Sequence, residues 1–531
     1  MLESVCLQNY KAFNDVTIPI KPLTILLGAN SVGKSSIIQM LMLLHQTAEE
    51  RRGQYSSALK IYGNYVNIGA IENLYKGKDI SQPLLLKLNI TSSETVELLR
   101  ECKDDYIERF LSMAGLFPMS EMRTIDPDQI KNRDEFQQFV NKLLKTLKER
   151  NVGEDKHFVT YMNRRYGLPL DMIDEENIGE LMRGYDIREK LSQKRSSEFF
   201  LTFVLIVKKG KLRVNRFSVE LDNGVILLDV ESKTEKNVKV VSDFNLNGRD
   251  FEYIIDRINF DNTIFNIVSE RQKSEKSAMT AAFLLDICDN LITDLAYDLS
   301  ENRLNYVSPL RAHPKRYYML DKAKMTFSLD TLDGDAIAEV MKDNRSVKKS
   351  VNEWFAKFGF KIDVQEFKEV IHHVNVTQNG LPLDITDVGF GISQVLPIII
   401  QGFLSEQDTL TIIEQPEIHL HPKMQADLGD LFIDIVKNNN KRLMIETHSE
   451  YILRRIRRRI SEGKISSKDV SICLFHPKSK NNSAWVEQLE IGEKGNFKWP
   501  EEYYCGDLYD DIMVYLQNQN NGNNNDIPIP D

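Results

Sequence analysis

Gly28-Ala29-Asn30-Ser31-Val32-Gly33-Lys34-Ser35 decides the reading of this chain. It satisfies the phosphate-binding pattern GxxxxGK[ST] without a departure. It also stands in the setting that pattern needs, with an apolar run, Leu23 to Leu27, before it and a helical pattern from Lys34 to about Ala48 after it. Glycines in such a turn let successive backbone N–H groups curl toward phosphate oxygens. Lys34 supplies a point charge to the β- and γ-phosphates, and the Ser35 hydroxyl is a ligand for Mg²⁺. Asn30, Ser31, Val32 and Ser36 complete the cradle. The competing reading, a glycine turn that holds nothing, does not explain the flanking strand and helix. Buried strand, loop and helix in that order open a parallel α/β sheet.

A second apolar strand, Thr409 to Ile413, ends in Glu414-Gln415-Pro416-Glu417. A carboxylate at that strand end can hold the water shell of Mg²⁺, and the residue after it faces the γ-phosphate. A third, Arg442 to Ile445, runs into Glu446-Thr447-His448-Ser449. His448 then lies at the C-terminal strand edge, where parallel sheets place their ligands, and is a candidate γ-phosphate sensor. Taken alone it reads equally as a capping or core histidine. Between the loop and these two strands, Gly389 and Gly391 stand just before Ser393 at the start of a helix, in the stretch that runs to Pro397. Free N–H groups and a hydroxyl at a helix start can grip an anion, and a plain N-cap is the alternative.

The whole chain bounds these readings. Its 531 residues suit several structural units, and 42% hydrophobic residues suffice for large cores. A formal charge of −10 disfavours a surface that coats nucleic acid throughout. Five scattered cysteines without a CxxC pair suit a reducing cytosol, and the longest strongly apolar stretch, around Leu396 to Leu404, is short of a membrane span. The localisation expected is cytoplasmic. The expected division is 1–91 for the N-terminal part of an ATPase head, 92–198 for a charge-rich helical insertion, 199–517 for the rest of the head and 518–531 for a disordered tail.

The four motifs, in the chain order loop, glycine-serine stretch, acidic strand end and histidine, resemble those of the ABC-type ATPase superfamily, and more closely those of the SMC-like heads of OLD-like AAA-family ATPases. Further residues carry the likeness: Asn9 to Phe13, Tyr306 to Arg311, Val388 to Gln394, Ile413 to Pro422 and Glu446 to Ser449. Ile491 to Pro500 looks like a C-terminal signature of one bacterial branch, that of the PtuA-type ATPases of Septu-type and retron-linked antiphage systems. The fold implied is α/β: an ABC-type P-loop head, with a mixed sheet, flanking helices and a helical insertion.

The resemblance also implies roles. Lys34 and Ser35 bind phosphate and Mg²⁺, Glu414 is the Mg²⁺-side acid, and His448 is the switch histidine. Lys11 lies near the base or phosphates, while Gly391 and Ser393 meet the γ-phosphate held by a second subunit. A nucleotide-sensing glutamine is implied between the loop and the insertion, at no particular position. ATP sandwiched between two heads makes a homodimer or higher assembly. The partners implied are a nuclease such as an HNH-type PtuB and, in retron-linked systems, a reverse transcriptase with its DNA and RNA. A DNA-repair or recombination ATPase that binds DNA directly is the alternative. In one respect the chain departs from the pattern. Gln415 stands where ABC-type ATPases carry a catalytic Glu, so slow turnover is expected, with Glu417 as the substitute base.

Three further features are weaker. His419 and His421 are two metal-ligand types without a third nearby. Five arginines between Arg454 and Arg459 form either a solvated basic face or a nucleic-acid contact. Asp507, Asp510 and Asp511 invite a nuclease reading, but too little chain follows His448 to hold a TOPRIM domain, so cleavage is expected from another chain.

Overall fold

A computed structural model describes residues 1–50, 56–92, 198–234, 237–269, 278–301, 303–311, 313–319, 335–368, 371–378, 380–477 and 483–498, with a few positions between 95 and 141. The expected helical insertion, apart from those few positions, the tail at 518–531 and Asp507, Asp510 and Asp511 lie outside the described residues.

Along the chain the strands are β1 (Leu2–Tyr10), β2 (Phe13–Pro19), β3 (Leu23–Gly28), β4 (Leu84–Thr91), β5 (Glu198–Lys208), β6 (Lys211–Leu221), β7 (Ile226–Thr234), β8 (Asn237–Val241), β9 (Leu304–Val307), β10 (Tyr318–Met319), β11 (Phe360–Lys368), β12 (Ile371–Gln378), β13 (Leu381–Asp384), β14 (Leu410–Glu414), β15 (Arg442–Glu446), β16 (Val470–His476) and β17 (Trp485–Leu489). The helices are α1 (Lys34–Glu49), α2 (Gly248–Arg257), α3 (Met279–Asp298), α4 (Asp335–Asp343), α5 (Arg345–Ala356), α6 (Phe390–Leu404), α7 (Pro422–Asn439) and α8 (Glu450–Ser461).

Two compact units emerge, one of residues 1–10 and 42–299, the other of 11–41 and 300–531. In the first, β1, β4, β5, β6, β7 and β8 are neighbours in that order, antiparallel throughout. Strand β4 buries Leu84, Leu86, Leu88 and Ile90 and leaves the residues between them half-buried, the period-2 pattern of a strand with one core face.

The second unit carries the site. Its six-stranded sheet runs β17-β16-β3-β15-β14-β9, with only β17 antiparallel, so it is mixed as expected. Strands β3, β14 and β15 are buried at every residue, the signature of parallel strands covered on both faces. Leu23, Ile25 and Leu27 of β3 share one apolar cluster with Ile413, Leu443, Ile445 and the buried faces of α6, α7 and α8. Strand β3 lies between β15 and β16, so this sheet is assembled from the start of the chain and its second half. A second, four-stranded sheet, β10-β12-β11 with β13 on β12, packs with α4 and α5 in the same unit; no sequence signal had marked it.

The arginines of α8 resolve mainly into ion pairs. Arg455 reaches Asp427 at 3.1 Å and also Asp430, Arg459 reaches Asp430 at 2.6 Å and Glu462 at 2.6 Å, and Arg458 reaches Glu462 at 2.7 Å. Asp427 and Asp430 are on α7, so the basic run is largely a seam between two helices. Burial raises the Asp430 carboxyl, but Arg459 and Arg455 outweigh it and hold the group below the usual carboxylate range. The seam's stabilisation is therefore complete above the unfolded value of about 3.9 and is lost as pH falls through the lower folded value. Asp430→Asn is expected to cost about 2 kcal/mol at pH 7, the scale of hydrogen bonds to charged groups. Urea melts from pH 7 to pH 3 check this: the deficit should shrink with acid, and a deficit equal at both ends would refute the assignment.

Candidate functional site

The phosphate-binding turn follows β3 and enters α1 at Lys34. Gly28 (φ +140°) is forced by neighbours, because a Cβ there would sit 2.5 Å from the backbone oxygen of Phe475 on β16. At Gly33 (φ +107°) a Cβ would strike the Phe13 ring at 2.5 Å, and Phe13 in turn packs edge-on against Phe475. Asn30 and Ser31 are exposed, Ser31 at φ +64°, and Val32 is buried as the plug beneath the turn. The Ser36 N–H donates to the Gly33 carbonyl at 3.0 Å, which starts the helix.

Lys34 is 3% exposed. Its Nζ donates to the carbonyls of Gly28 (2.9 Å) and Ala29 (2.8 Å) and lies 3.7 Å from Glu446 Oε1. Burial holds the ammonium below its ordinary value, against the opposing charge of Glu446. Ser35 Oγ donates to Glu446 Oε2 at 3.3 Å. The hydroxyl and the lysine of the loop thus share one carboxylate, at the end of the strand next to β3.

Glu414 ends β14 in register with Glu446 on β15. Burial pushes Glu414 up to about 7; the hydrogen bond from Tyr306 pulls it down, and the Glu446 charge pushes it up. Tyr306 Oη donates to Glu414 Oε1 at 2.5 Å, and Arg311 Nη2 donates to the carbonyls of Glu414 (2.7 Å) and Gln415 (3.3 Å). Gln415 is half-buried in the left-handed region (φ +45°), and its N–H donates to the Glu446 carbonyl at 2.8 Å.

Glu417 accepts from Thr447 Oγ1 at 2.7 Å and from the His448 N–H at 2.6 Å. It ties the loop after β14 to the loop after β15, with both oxygens engaged. Burial raises its carboxyl and these bonds oppose that rise. Burial, aided by the Lys34 charge and opposed by Glu446, holds the His448 ring below the ordinary histidine value. Ser449 caps α8 through the Ile452 N–H at 3.2 Å, which fixes where His448 leaves the strand.

The structure therefore brings Lys34, Ser35, Glu414, Gln415, Glu417 and His448 to the C-terminal ends of three neighbouring parallel strands. Lys11 (φ +47°) is half-buried and its ammonium bonds Gln39 Oε1 on α1. Gly391 and Ser393 lie in the first turns of α6, capped by Gly389. A Cβ at Gly391 would meet the His419 carbonyl at 2.7 Å, so the start of α6 abuts the loop after β14. His419 is exposed at φ +62° and His421 caps α7, accepting from the Lys423 N–H at 3.3 Å. Sequence reasoning missed Glu446, Tyr306 and Arg311 as site residues, although all three stand in stretches it had singled out. The equal register of two strand-end glutamates was the available signal.

Among the described residues no cluster of three or more His, Cys, Asp or Glu could by itself hold a metal ion. The donors at the strand ends, Ser35, Glu446 and Glu414, instead fit Mg²⁺, which takes one or two carboxylates and completes its shell with water and substrate phosphate. A hydroxyl beside two buried carboxylates, one of them pushed toward neutrality by burial and, to a lesser degree, by the other's charge, is chemically suited to such a cation.

The family profile of the AAA ATPase domain (AAA_15) matches residues 1–453. Among solved structures, an Smc head bound to the C-winged helix domain of ScpA is similar at 11% identity and TM-score 0.36, over 93% of this chain and 98% of that one. The SMC head domain from Thermotoga maritima aligns at 7% identity and TM-score 0.31, over 92% and 99%. An Smc head with an extended coiled coil bound to the C-terminal domain of ScpA, derived from Pyrococcus furiosus, aligns at 8% identity and TM-score 0.33, over 98% and 99%. No curated protein matches. Among the described residues no helix is long and apolar enough to cross a membrane.

Proposed function

Because this chain belongs to the AAA_15 family of AAA ATPase domains, we propose that it works as a slow, ATP-held switch instead of a fast motor. The observation that carries the reading is the convergence of Lys34 and Ser35 on Glu446, beside Glu414 and Gln415. ATP docks with its phosphates in the turn from Gly28 to Ser36, where the β- and γ-phosphates compete with the Gly28 and Ala29 carbonyls for the Lys34 ammonium. Ser35, Glu446 and Glu414 would hold Mg²⁺, which when bound offsets phosphate charge. Gln415 orients the attacking water, and His448 meets the γ-phosphate from the β15 loop. An amide cannot accept the proton that a carboxylate would, so hydrolysis is slow and the bound state long.

Gly391 and Ser393 close the sandwich on the γ-phosphate held by a second copy. The motif likeness, including Ile491 to Pro500, supports the finer reading of a regulatory ATPase in antiphage defence. In that role ATP-held heads control a nuclease carried on another chain, with or without a retron reverse transcriptase and its DNA and RNA. The alternative is an SMC-like repair or recombination ATPase that binds DNA itself. The net charge of −10 and the ion-paired arginines of α8 count against direct DNA coating through that helix.

Purification of the tagged chain from its native cells with ATP and Mg²⁺ separates the two. Defence predicts a stoichiometric nuclease that dissociates when ATP is withdrawn or Lys34 is replaced by Ala. A homodimer carrying only chromosomal DNA, released by salt, would establish the repair reading instead.

A further inference from the structure

We infer that Arg311 is a positioning residue for hydrolysis, clamping the turn that aims the Gln415 side chain from the side of the sheet away from the phosphate-binding loop. The inference rests on the ATPase reading and deepens it.

Gln415 stands in a left-handed conformation (φ +45°), which costs a non-glycine residue on the order of 1 kcal/mol and persists only where neighbours enforce it. Here they do so from both flanks. On the β15 side the Glu446 carbonyl takes the Gln415 N–H at 2.8 Å. On the β9 side Arg311 Nη2 donates to the Glu414 carbonyl at 2.7 Å and the Gln415 carbonyl at 3.3 Å, and Tyr306 fixes the Glu414 carboxylate at 2.5 Å. The two peptide groups around Gln415 are thus pinned before any ligand arrives.

Arg311 is an unusual choice for a purely structural bond. It is 6% exposed, and among the described residues its Nε and Nη1 have no hydrogen-bond partner. Burying two unpaired guanidinium donors is costly, and Glu417 and Glu414 only partly offset the charge. A structure that retains this cost next to its reactive groups is using the guanidinium for placement. A single nitrogen, Nη2, bridges two successive carbonyls and is oriented by the rigid planar guanidinium, whereas a lysine ammonium is a freely rotating point charge.

The test is a double-substitution cycle on the full chain. ATP turnover and ATP affinity are measured for the parent, Arg311→Lys, Arg311→Met, Gln415→Ala and the corresponding double variants. A misplacement of about 1 Å is worth roughly 10²-fold in rate. Arg311→Met should therefore lower kcat by about that factor, with ATP affinity within about threefold of the parent, and Arg311→Lys should restore part of the loss. In the Gln415→Ala background the Arg311 substitutions should cost threefold or less, because the residue they act through is gone. Losses that persist in that background, or that fall on ATP affinity instead of kcat, would overturn the inference. If Arg311→Met fails to fold, the Lys variant carries the cycle alone with the same criteria. A parent that binds ATP without hydrolysing it would overturn both the ATPase reading and this inference. A hydrolysing parent with indifferent Arg311 variants would overturn the inference alone.

Discussion

Gln415→Glu is expected to raise the rate of ATP hydrolysis by about 10²–10⁴-fold, the usual worth of general-base assistance. Position 415 follows directly on Glu414, its backbone is held by the Glu446 carbonyl and by Arg311, and its side chain is half-buried at the strand ends that gather Lys34 and Ser35. A carboxylate there would join Glu414 and Glu417, both already pushed upward by burial. Like charges nearby would raise its own proton affinity toward neutrality, where a base is most effective. The check is steady-state phosphate release with saturating ATP and Mg²⁺, alongside single-turnover rates that separate chemistry from product release. If the Glu variant is no faster than the parent in single turnover, Gln415 is not what limits the reaction, and the engaged oxygens of Glu417 must be reconsidered as the base.

Lys34→Ala is expected to weaken ATP binding by about 10²-fold or more and to abolish measurable hydrolysis, as loss of a preorganised charge on developing phosphate charge costs about 10²–10³-fold. The side chain is almost wholly buried and makes two hydrogen bonds to the loop's own carbonyls, so its reach into the phosphate site is set before the nucleotide arrives. Truncation also strips Glu446 of its neighbouring cation at 3.7 Å. Calorimetric titration with ATP and Mg²⁺ gives the affinity, and a thermal melt shows whether the fold survives. Unchanged affinity in a folded variant would mean that the turn at Gly28 does not hold the phosphates.

The chemistry nearest the loop was legible because it is local. Eight consecutive residues specify the turn, and a buried strand and a helix flank it in sequence. The strands Thr409 to Ile413 and Arg442 to Ile445 were legible too, since each is a short apolar run with a polar break after it. What escaped was set by contacts across the chain. Glu446 looked like any strand-end carboxylate until register placed it beside Glu414 and within reach of Ser35, 411 residues earlier. Arg311 bonds carbonyls more than 100 residues away, and no pattern within its own stretch carries that information. The arginines of α8 read as a free basic face because their acidic partners, Asp427 and Asp430, belong to the preceding helix. The four-stranded sheet around β12 escaped for a different reason: β11, β12 and β13 follow one another within a few residues, β10 is two residues long, and no chemical motif draws attention to any of them.

The most direct measurement is the mass of the purified protein in solution, with and without ATP and Mg²⁺, for the parent and for Lys34→Ala. If ATP is held between two heads, the parent shifts from 61.4 kDa to twice that mass on adding ATP and Mg²⁺, stays there for many minutes because turnover is slow, and the Lys34 variant does not shift. A parent whose mass is the same with and without nucleotide, or a Lys34 variant that shifts as the parent does, would contradict the account.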